Sequence, residues 1–125
     1  MTYIDIQSRI CQVLIGSGIA GGNVIIADKV KIIRTPAVCV TQTHLVGNTN
    51  EGWFESTIVI TCIADEEHAA GVLADAVLDV LDGYGGNGIA DVSHVSTLPV
   101  RTEETAPVTH TYAMTFRVVY QNNKS

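Results

Sequence analysis

The clearest hydrophobic pattern in the chain is an alternation over residues 53–63, which predicts a β-strand. Phe54, Ile58, Ile60 and Cys62 share one face of this segment, because successive side chains of a strand point to opposite sides. The opposite face mixes glutamate and threonine with apolar residues. We therefore expect one face to be buried in a core and the other to be partly covered.

A helix is predicted directly after this strand. Asp65 is placed to cap its amino terminus, and two glutamates follow in the first turn, where the helix dipole favours negative charge. Apolar residues recur at intervals of three and four and form a stripe: Ala69, Leu73, Ala76, Val77, Val80 and Leu81. Asp75, Asp79 and Asp82 line a polar flank, and Gly83 ends the helix. The helix is thus expected to dock its stripe onto a sheet and to expose an acidic ridge formed by these three aspartates.

Weaker patterns complete the chain. Residues 5–15 predict a first helix, which ends at glycines. Further strands are predicted at residues 24–26, 30–34, 37–44, 92–100 and 108–121. Polar loops are predicted at residues 45–52 and 101–107, and a glycine-rich loop at residues 83–88. These elements indicate an α+β fold, with two helices packed on a mostly antiparallel sheet, in one compact domain over residues 1–125.

Composition limits the classes of function. A hydrophobic fraction of 46% and a mean hydropathy of +0.26 are high for a chain of 125 residues, so we expect other subunits to cover part of its apolar surface. The net charge is −6 and the basic residues are dispersed, which argues against a face that grips nucleic acid. The apolar runs are short and the amino terminus lacks a secretion pattern. We therefore expect no membrane contact, and a protein kept in a cytoplasm or in a particle assembled there.

Candidate chemistry is sparse. Cys11, Cys39 and Cys62 are odd in number, form no C-x-x-C pair and lie in apolar patterns, so we expect reduced core thiols. The four histidines show no metal-ligand spacing within one element. Asp75 and Asp79 lie four apart on one helical face, an arrangement that is more typical of a solvated ridge than of paired catalytic carboxylates. No catalytic, cofactor or metal site is predicted.

The order of elements resembles a known family. The chain has an amino-terminal helix ending in glycines, a strand led by Pro36, a polar loop, the strand at 53–63, an alanine-rich helix that starts with acids and ends in Leu81-Asp82-Gly83, and two final strands. This layout is similar to that of the tail terminator proteins of long-tailed bacteriophages, also called tail-completion or head-tail joining proteins. The likeness covers nearly the whole chain and lies in layout more than in signature side chains.

The resemblance implies a structural virion protein of the tail neck, assembled in the host cytoplasm. Such a subunit forms a hexameric ring on the last ring of the tail tube, stops tube growth and presents a surface to the head. Its implied partners are other copies of itself, the major tail tube protein and a head-tail connector or neck protein. DNA would pass through the lumen without specific binding. The family has no active site and no cofactor, so none is implied here.

We expect the assembly contacts in the two polar loops, at the positions that flank the first loop and on the acidic ridge, because both loops exceed the length of a simple hairpin. The predicted interface residues are His44, Asn48, Asn50, Glu51, Trp53, Asp75, Asp79, Glu103 and Glu104. The sheet must also leave at least one strand edge open, which a ring can satisfy by pairing or packing against its neighbour.

A different class of function fits the same order of elements. A regulatory module could bind a small ligand between helix and sheet, or a small metal-dependent enzyme could use Asp75, Asp79 and a histidine. Such a module would show a saturable thermal shift with metabolites or metal, whereas the ring protein would be a hexamer or assemble on tail tubes.

Overall fold

Two helices pack on one face of a five-stranded sheet. A computed structural model describes residues 6–26, 36–48, 53–86, 89–100 and 110–121. In chain order the elements are α1 (Ile6–Gly16), a short 3-10 turn (Ile19–Gly22), β1 (Val24–Ile26), β2 (Ala37–Asn48), β3 (Trp53–Ala64), α2 (Glu67–Leu81), β4 (Ile89–Val100) and β5 (His110–Gln121). The strand order is β1-β2-β3-β5-β4, with β1 parallel to β2 and every other pair antiparallel. The predicted fold class is confirmed, as a single compact α+β domain.

The core lies between the helices and one face of the sheet. Every second residue of β3 from Ser56 to Cys62 is buried, which confirms the face predicted from the alternation. The neighbouring strand β5 contributes a matching row, in which Met114 pairs with Ile60 and Phe116 with Ile58. Helix α1 adds buried side chains four residues apart: Ile6, Ile10 and Leu14. This spacing places one stripe of the helix against the sheet.

The buried stripe of α2 differs from the predicted one. The buried side chains are Ala70, Leu73, Ala74, Val77 and Leu81. The prediction that Ala69 belongs to the stripe was wrong, since this residue is exposed. Ala76 and Val80 are half-buried. Several alanines are available in this helix and all are compatible with a core, so the larger side chains at 73, 77 and 81 set the rotation. Asp75, Asp79 and Asp82 are exposed, as predicted.

The ends of α2 are close to the predicted positions. The residue at the N-cap is Glu66, in extended conformation and without a cap hydrogen bond from its side chain, so the prediction of Asp65 at this position was one residue too early. The helix ends at Leu81, and Gly83 follows with a φ of 78°. Glycine suits this left-handed conformation, which turns the chain out of the helix.

The strands are longer than their side-chain patterns predict. β2 continues to Asn48, which pairs with Trp53, so the prediction of a loop at residues 45–48 was wrong. Leu45 and Val46 suit a strand, and backbone pairing carries Gly47 and Asn48 with them although these two residue types are typical of turns. β4 begins at Ile89, earlier than the predicted residue 92. The predicted strand at residues 30–34 and the predicted loop at 101–107 lie outside the described residues.

Within the described part of the chain, no helix has the length and apolar character needed to cross a bilayer.

Candidate assembly surface

The first half of β4 has its outer edge covered by the end of α2. The Gly83 amide donates a hydrogen bond to the Val92 carbonyl at 2.7 Å. The His94 amide donates to the Asp82 carboxylate at 3.2 Å. Asp82 is therefore more than part of an acidic ridge, because its side chain pairs one of the outward-facing amides of an edge strand. These contacts hold the start of β4 against the domain.

The second half of β4 is modified in ways that resist strand pairing. Val95 is the extra residue of a β-bulge between His94 and Ser96, and Pro99 has no amide hydrogen to donate. Bulges and prolines are common devices that keep a sheet edge from pairing with another chain. The expected pairing of edge strands between subunits is therefore unfavourable here. Val95 and Leu98 are 60% and 63% exposed, so contact at this edge would use side chains.

The amino-terminal half of α2 exposes apolar surface between two grooves. Val72 is 54% exposed and lines both of them. The larger, here named the α2 groove, has a volume of about 750 Å³ and lies between α2 and the 3-10 turn. Its apolar lining is formed by Ile19, Ala20, Pro36, Ala64, Ala69, Val72, Leu73 and Ala76. Asp65, Glu66 and His68 also line it, so an apolar floor has an acidic border.

The smaller groove has a volume of about 540 Å³ and lies on the other side of Val72. Thr97 of β4 and Tyr112 of β5 line it together with residues of α2. Asp75 is among them, which places one predicted interface residue beside this apolar surface. Asp79 is also exposed, farther along the helix.

Three of the other predicted interface residues lie in described parts of strands β2 and β3. Asn48 pairs with Trp53 at one end, and His44 pairs with Thr57 further along β2. The side chains of these three residues, and all of Asn50, Glu51, Glu103 and Glu104, lie outside the described part of the structure. The chain leaves β4 at Val100 and enters β5 at His110, at the end opposite to Trp53. Strands of 12 residues separate these ends by about 40 Å. That the predicted residues form one interface stays a prediction.

No protein-family model and no curated protein matches this sequence. A solved structure does share its fold. The matching chain belongs to a structure described as the virion of a native gene transfer agent (GTA) particle, and the two chains superimpose with a TM-score of 0.72. The match covers 93% of this chain and 94% of the other chain, at 18% sequence identity. Likeness at this identity shows a common fold across nearly the full length of both chains.

The exposed apolar residues were not predicted from the sequence. Val72 was left out of the predicted apolar stripe of α2, but its role as exposed apolar surface was not inferred from that. The bulge at Val95 leaves no mark in the side-chain pattern. The available signal was the high mean hydropathy, which indicates exposed apolar surface without locating it.

The cysteines are buried free thiols, as predicted. Burial raises the pKa of Cys62 to about 12, and the neighbouring Cys39 adds to this effect. Burial likewise raises the pKa of Cys39. Such thiols are poor nucleophiles and poor metal ligands, because both roles require the thiolate.

The other polar side chains near the surface make structural contacts. The His94 ring lies 2.6 Å from the Thr97 hydroxyl and packs edge-on against Phe116. Among the described residues, no three histidine, cysteine or acidic side chains converge as a metal site would require.

Proposed function

We propose that this protein is a structural virion protein that acts as a ring-forming tail terminator. It would cap the tail tube, stop its polymerisation and join the tail to the head connector. The observation that supports this most is the shared fold with a chain from a virion particle over nearly the whole length of both chains. The layout of the sequence supports the same assignment independently, through its resemblance to tail terminators.

The distribution of candidate contacts suits a ring with two end faces. The connections after β2 and after β4 leave opposite ends of strands that are about 40 Å long. In a ring whose axis runs roughly along the strands, one end of each subunit faces the tail tube and the other faces the head. The sides carry the exposed apolar residues of α2 and β4, where a neighbouring subunit covers them.

The charge of the surface suits a channel for DNA. The chain has seven basic residues against thirteen acidic ones, for a net charge of −6, and one of the basic residues, Arg117, is paired with Glu55. An acidic wall repels phosphates and allows a polyanion to pass without specific binding.

A tube-capping assay tests the proposal. The purified protein is added to tail tube protein during polymerisation, and tube lengths are measured by negative-stain electron microscopy. We expect shorter tubes with extra density at one end. Tubes with unchanged lengths and bare ends would contradict a terminator role. The control is the same purified protein, denatured by heat before it is added.

The volume of the α2 groove favours a second candidate function, the binding of a small ligand. Small-molecule sites commonly occupy about 300 to 1,000 Å³ and are mostly apolar, which describes this groove. A ligand-binding regulatory module would show a saturable rise in Tm with a metabolite library, whereas a terminator would show none.

A further inference from the structure

We propose that the two helices each protect one edge of the sheet against pairing with another chain, through Gln7 of α1 on one edge and Asp82 after α2 on the other. Each side chain accepts a hydrogen bond from the backbone amide of a residue that directly precedes a β-bulge. This protection belongs to the fold of the single chain and does not depend on the terminator function.

The outer side of β2 needs such protection along most of its length. β1 pairs with β2 at residues 38–40. Within the described part of the chain, no strand lies on the outer side of β2 from Thr41 onward. A row of unpaired backbone amides and carbonyls allows another chain to add a strand, and the result is aggregation.

Gln7 covers this edge just beyond the end of β1. The Gln42 amide donates a hydrogen bond to Gln7 Oε1 at 3.3 Å, so this amide has a partner within its own chain. Thr43, the next residue, is the extra residue of a β-bulge between Gln42 and His44. A bulge twists the strand and interrupts the regular spacing of the backbone groups that an added strand would need.

The side chain of Gln42 holds this amide in position. Its Nε2 donates to Ser56 Oγ, and the Tyr120 hydroxyl is hydrogen bonded to both side chains. Ser56 and Tyr120 are 1% and 4% exposed, so the network reaches into the core. A buried network whose members are all hydrogen bonded is rigid. Gln42 is therefore tied to β3 and β5 through its side chain and to α1 through its backbone.

The β4 edge repeats this arrangement with the other helix. The Asp82 carboxylate accepts the His94 amide, and Val95, the next residue, is the extra residue of a β-bulge. The His94 ring contacts the Thr97 hydroxyl across that bulge. On both edges, a side chain at or next to a helix thus pairs the last amide before the strand departs from regular pairing. The two edges use different strands and different helices, so the repetition indicates protection of the sheet as a whole.

A double variant that removes both acceptors tests this role. Gln7→Met keeps the length of the side chain without its oxygen, and Asp82→Ala removes the carboxylate. The matched control combines Gln12→Met with Asp79→Ala, which makes the same changes at exposed positions of the same two helices.

Three measurements are made on both proteins and on the wild type. Circular dichroism and Tm report folding, and hydrogen exchange reports the amides of Gln42 and His94. Analytical ultracentrifugation and thioflavin T fluorescence report association and its β-sheet character.

We expect the double variant to remain folded, with a Tm about 5 to 10 °C lower than that of the control, because two hydrogen bonds are lost. The amides of Gln42 and His94 should exchange about tenfold faster than in the control. After equal incubation, the double variant should give severalfold more thioflavin-positive aggregate. Each single variant should aggregate more slowly than the double variant, since growth in both directions needs two open edges.

Four results would overturn the inference. Faster exchange at both amides without more aggregate would show that the edges need no protection. Unchanged exchange would show that Gln7 and Asp82 do not hold the amides. Equal aggregation by Leu73→Ala, compared at the same unfolded fraction, would attribute the aggregate to lost stability. Wild-type rings in which the Gln42 and His94 amides gain protection over the monomer would show that subunits pair through these edges.

The tube-capping assay separates these outcomes from the proposed function. Rings that pair through their edges and still cap tubes would overturn the protective role of Gln7 and Asp82 and leave the terminator function intact. A protein that fails to cap tubes while its double variant aggregates through open edges would do the reverse.

Discussion

Leu73 and Val72 are adjacent in α2 but differ in burial, with 8% and 54% of their surfaces exposed. Leu73→Ala should leave a cavity against the sheet and lower the free energy of unfolding by about 2 to 5 kcal/mol. Val72→Ala removes side-chain atoms that already contact water, so its cost should stay below about 1 kcal/mol. Urea denaturation of both variants under matched conditions measures the difference. Equal losses of unfolding free energy in the two variants would contradict the orientation of α2 in which Leu73 is buried and Val72 is exposed.

The buried thiols predict how stability depends on pH. Cys62 has an ordinary pKa of 9.0 when unfolded and about 12 when folded, because burial disfavours the thiolate. Below pH 9 both states are protonated and stability is unaffected. As the pH rises from 9 towards 12, the unfolded state loses its proton first, and the free energy of unfolding should fall by up to about 1.4 kcal/mol per pH unit from this group.

Cys62→Ala is the control for this titration, because it removes that contribution and keeps those of Cys39 and Tyr120, whose pKa values are also raised by burial. The slope between pH 9 and pH 11 should therefore be smaller in the variant. Identical slopes would indicate that Cys62 is accessible to water.

At the scale of elements, the three aspartates of the acidic ridge have two different roles. Asp82 accepts the amide hydrogen of His94 and secures β4, whereas Asp75 and Asp79 are exposed on the helix. Asp82→Ala should cost about 1 kcal/mol and speed hydrogen exchange of the His94 amide, since that donor loses its partner. Asp75→Asn combined with Asp79→Asn should leave stability unchanged or raise it by a few tenths of a kcal/mol, because it relieves repulsion between like charges.

Hydrogen exchange and urea denaturation distinguish these variants. A loss of several kcal/mol in the Asp75 and Asp79 double variant would show that these carboxylates are buried ligands, as the metal-enzyme alternative requires. Unchanged exchange at His94 in Asp82→Ala would show that the Asp82 contact does not protect the edge.

The elements differ in how well the sequence predicts them, and the reason is physical. β3 and α2 were predicted because each buries one face, and burial imposes a period of two or of 3.6 on the side chains. The extension of β2 to Asn48 was missed because Gly47 and Asn48 are typical turn residues, whereas their backbone pairs with β3. Asp82 and Gly83 cover the edge of β4 through hydrogen bonds to His94 and Val92, and a side-chain pattern along the chain gives no sign of such contacts. The exposed groove is likewise a product of how α2 and the 3-10 turn pack together.

For the whole molecule, the terminator proposal predicts two defects from one loss. Leu73→Asp buries an unpaired charge in the core and should unfold a domain whose total stability is about 5 to 15 kcal/mol. When Leu73→Asp replaces the wild-type protein during particle assembly, the products should be heads without joined tails and tails of irregular length. Both defects follow because one ring stops tube growth and also provides the surface that the head binds.

The combination is what discriminates, since other roles predict one defect or none. A protein that only connects heads would leave unjoined tails of normal length, and a ligand-binding regulator would leave joined particles intact. Electron micrographs of one sample show both the tail lengths and the fraction of heads joined to tails. Ile15→Asp is the matched control, because Ile15 is 46% exposed on α1 and this variant should fold and assemble. Normal tails joined to full heads, in a sample where the Leu73→Asp protein is shown to be unfolded, would rule out the terminator function.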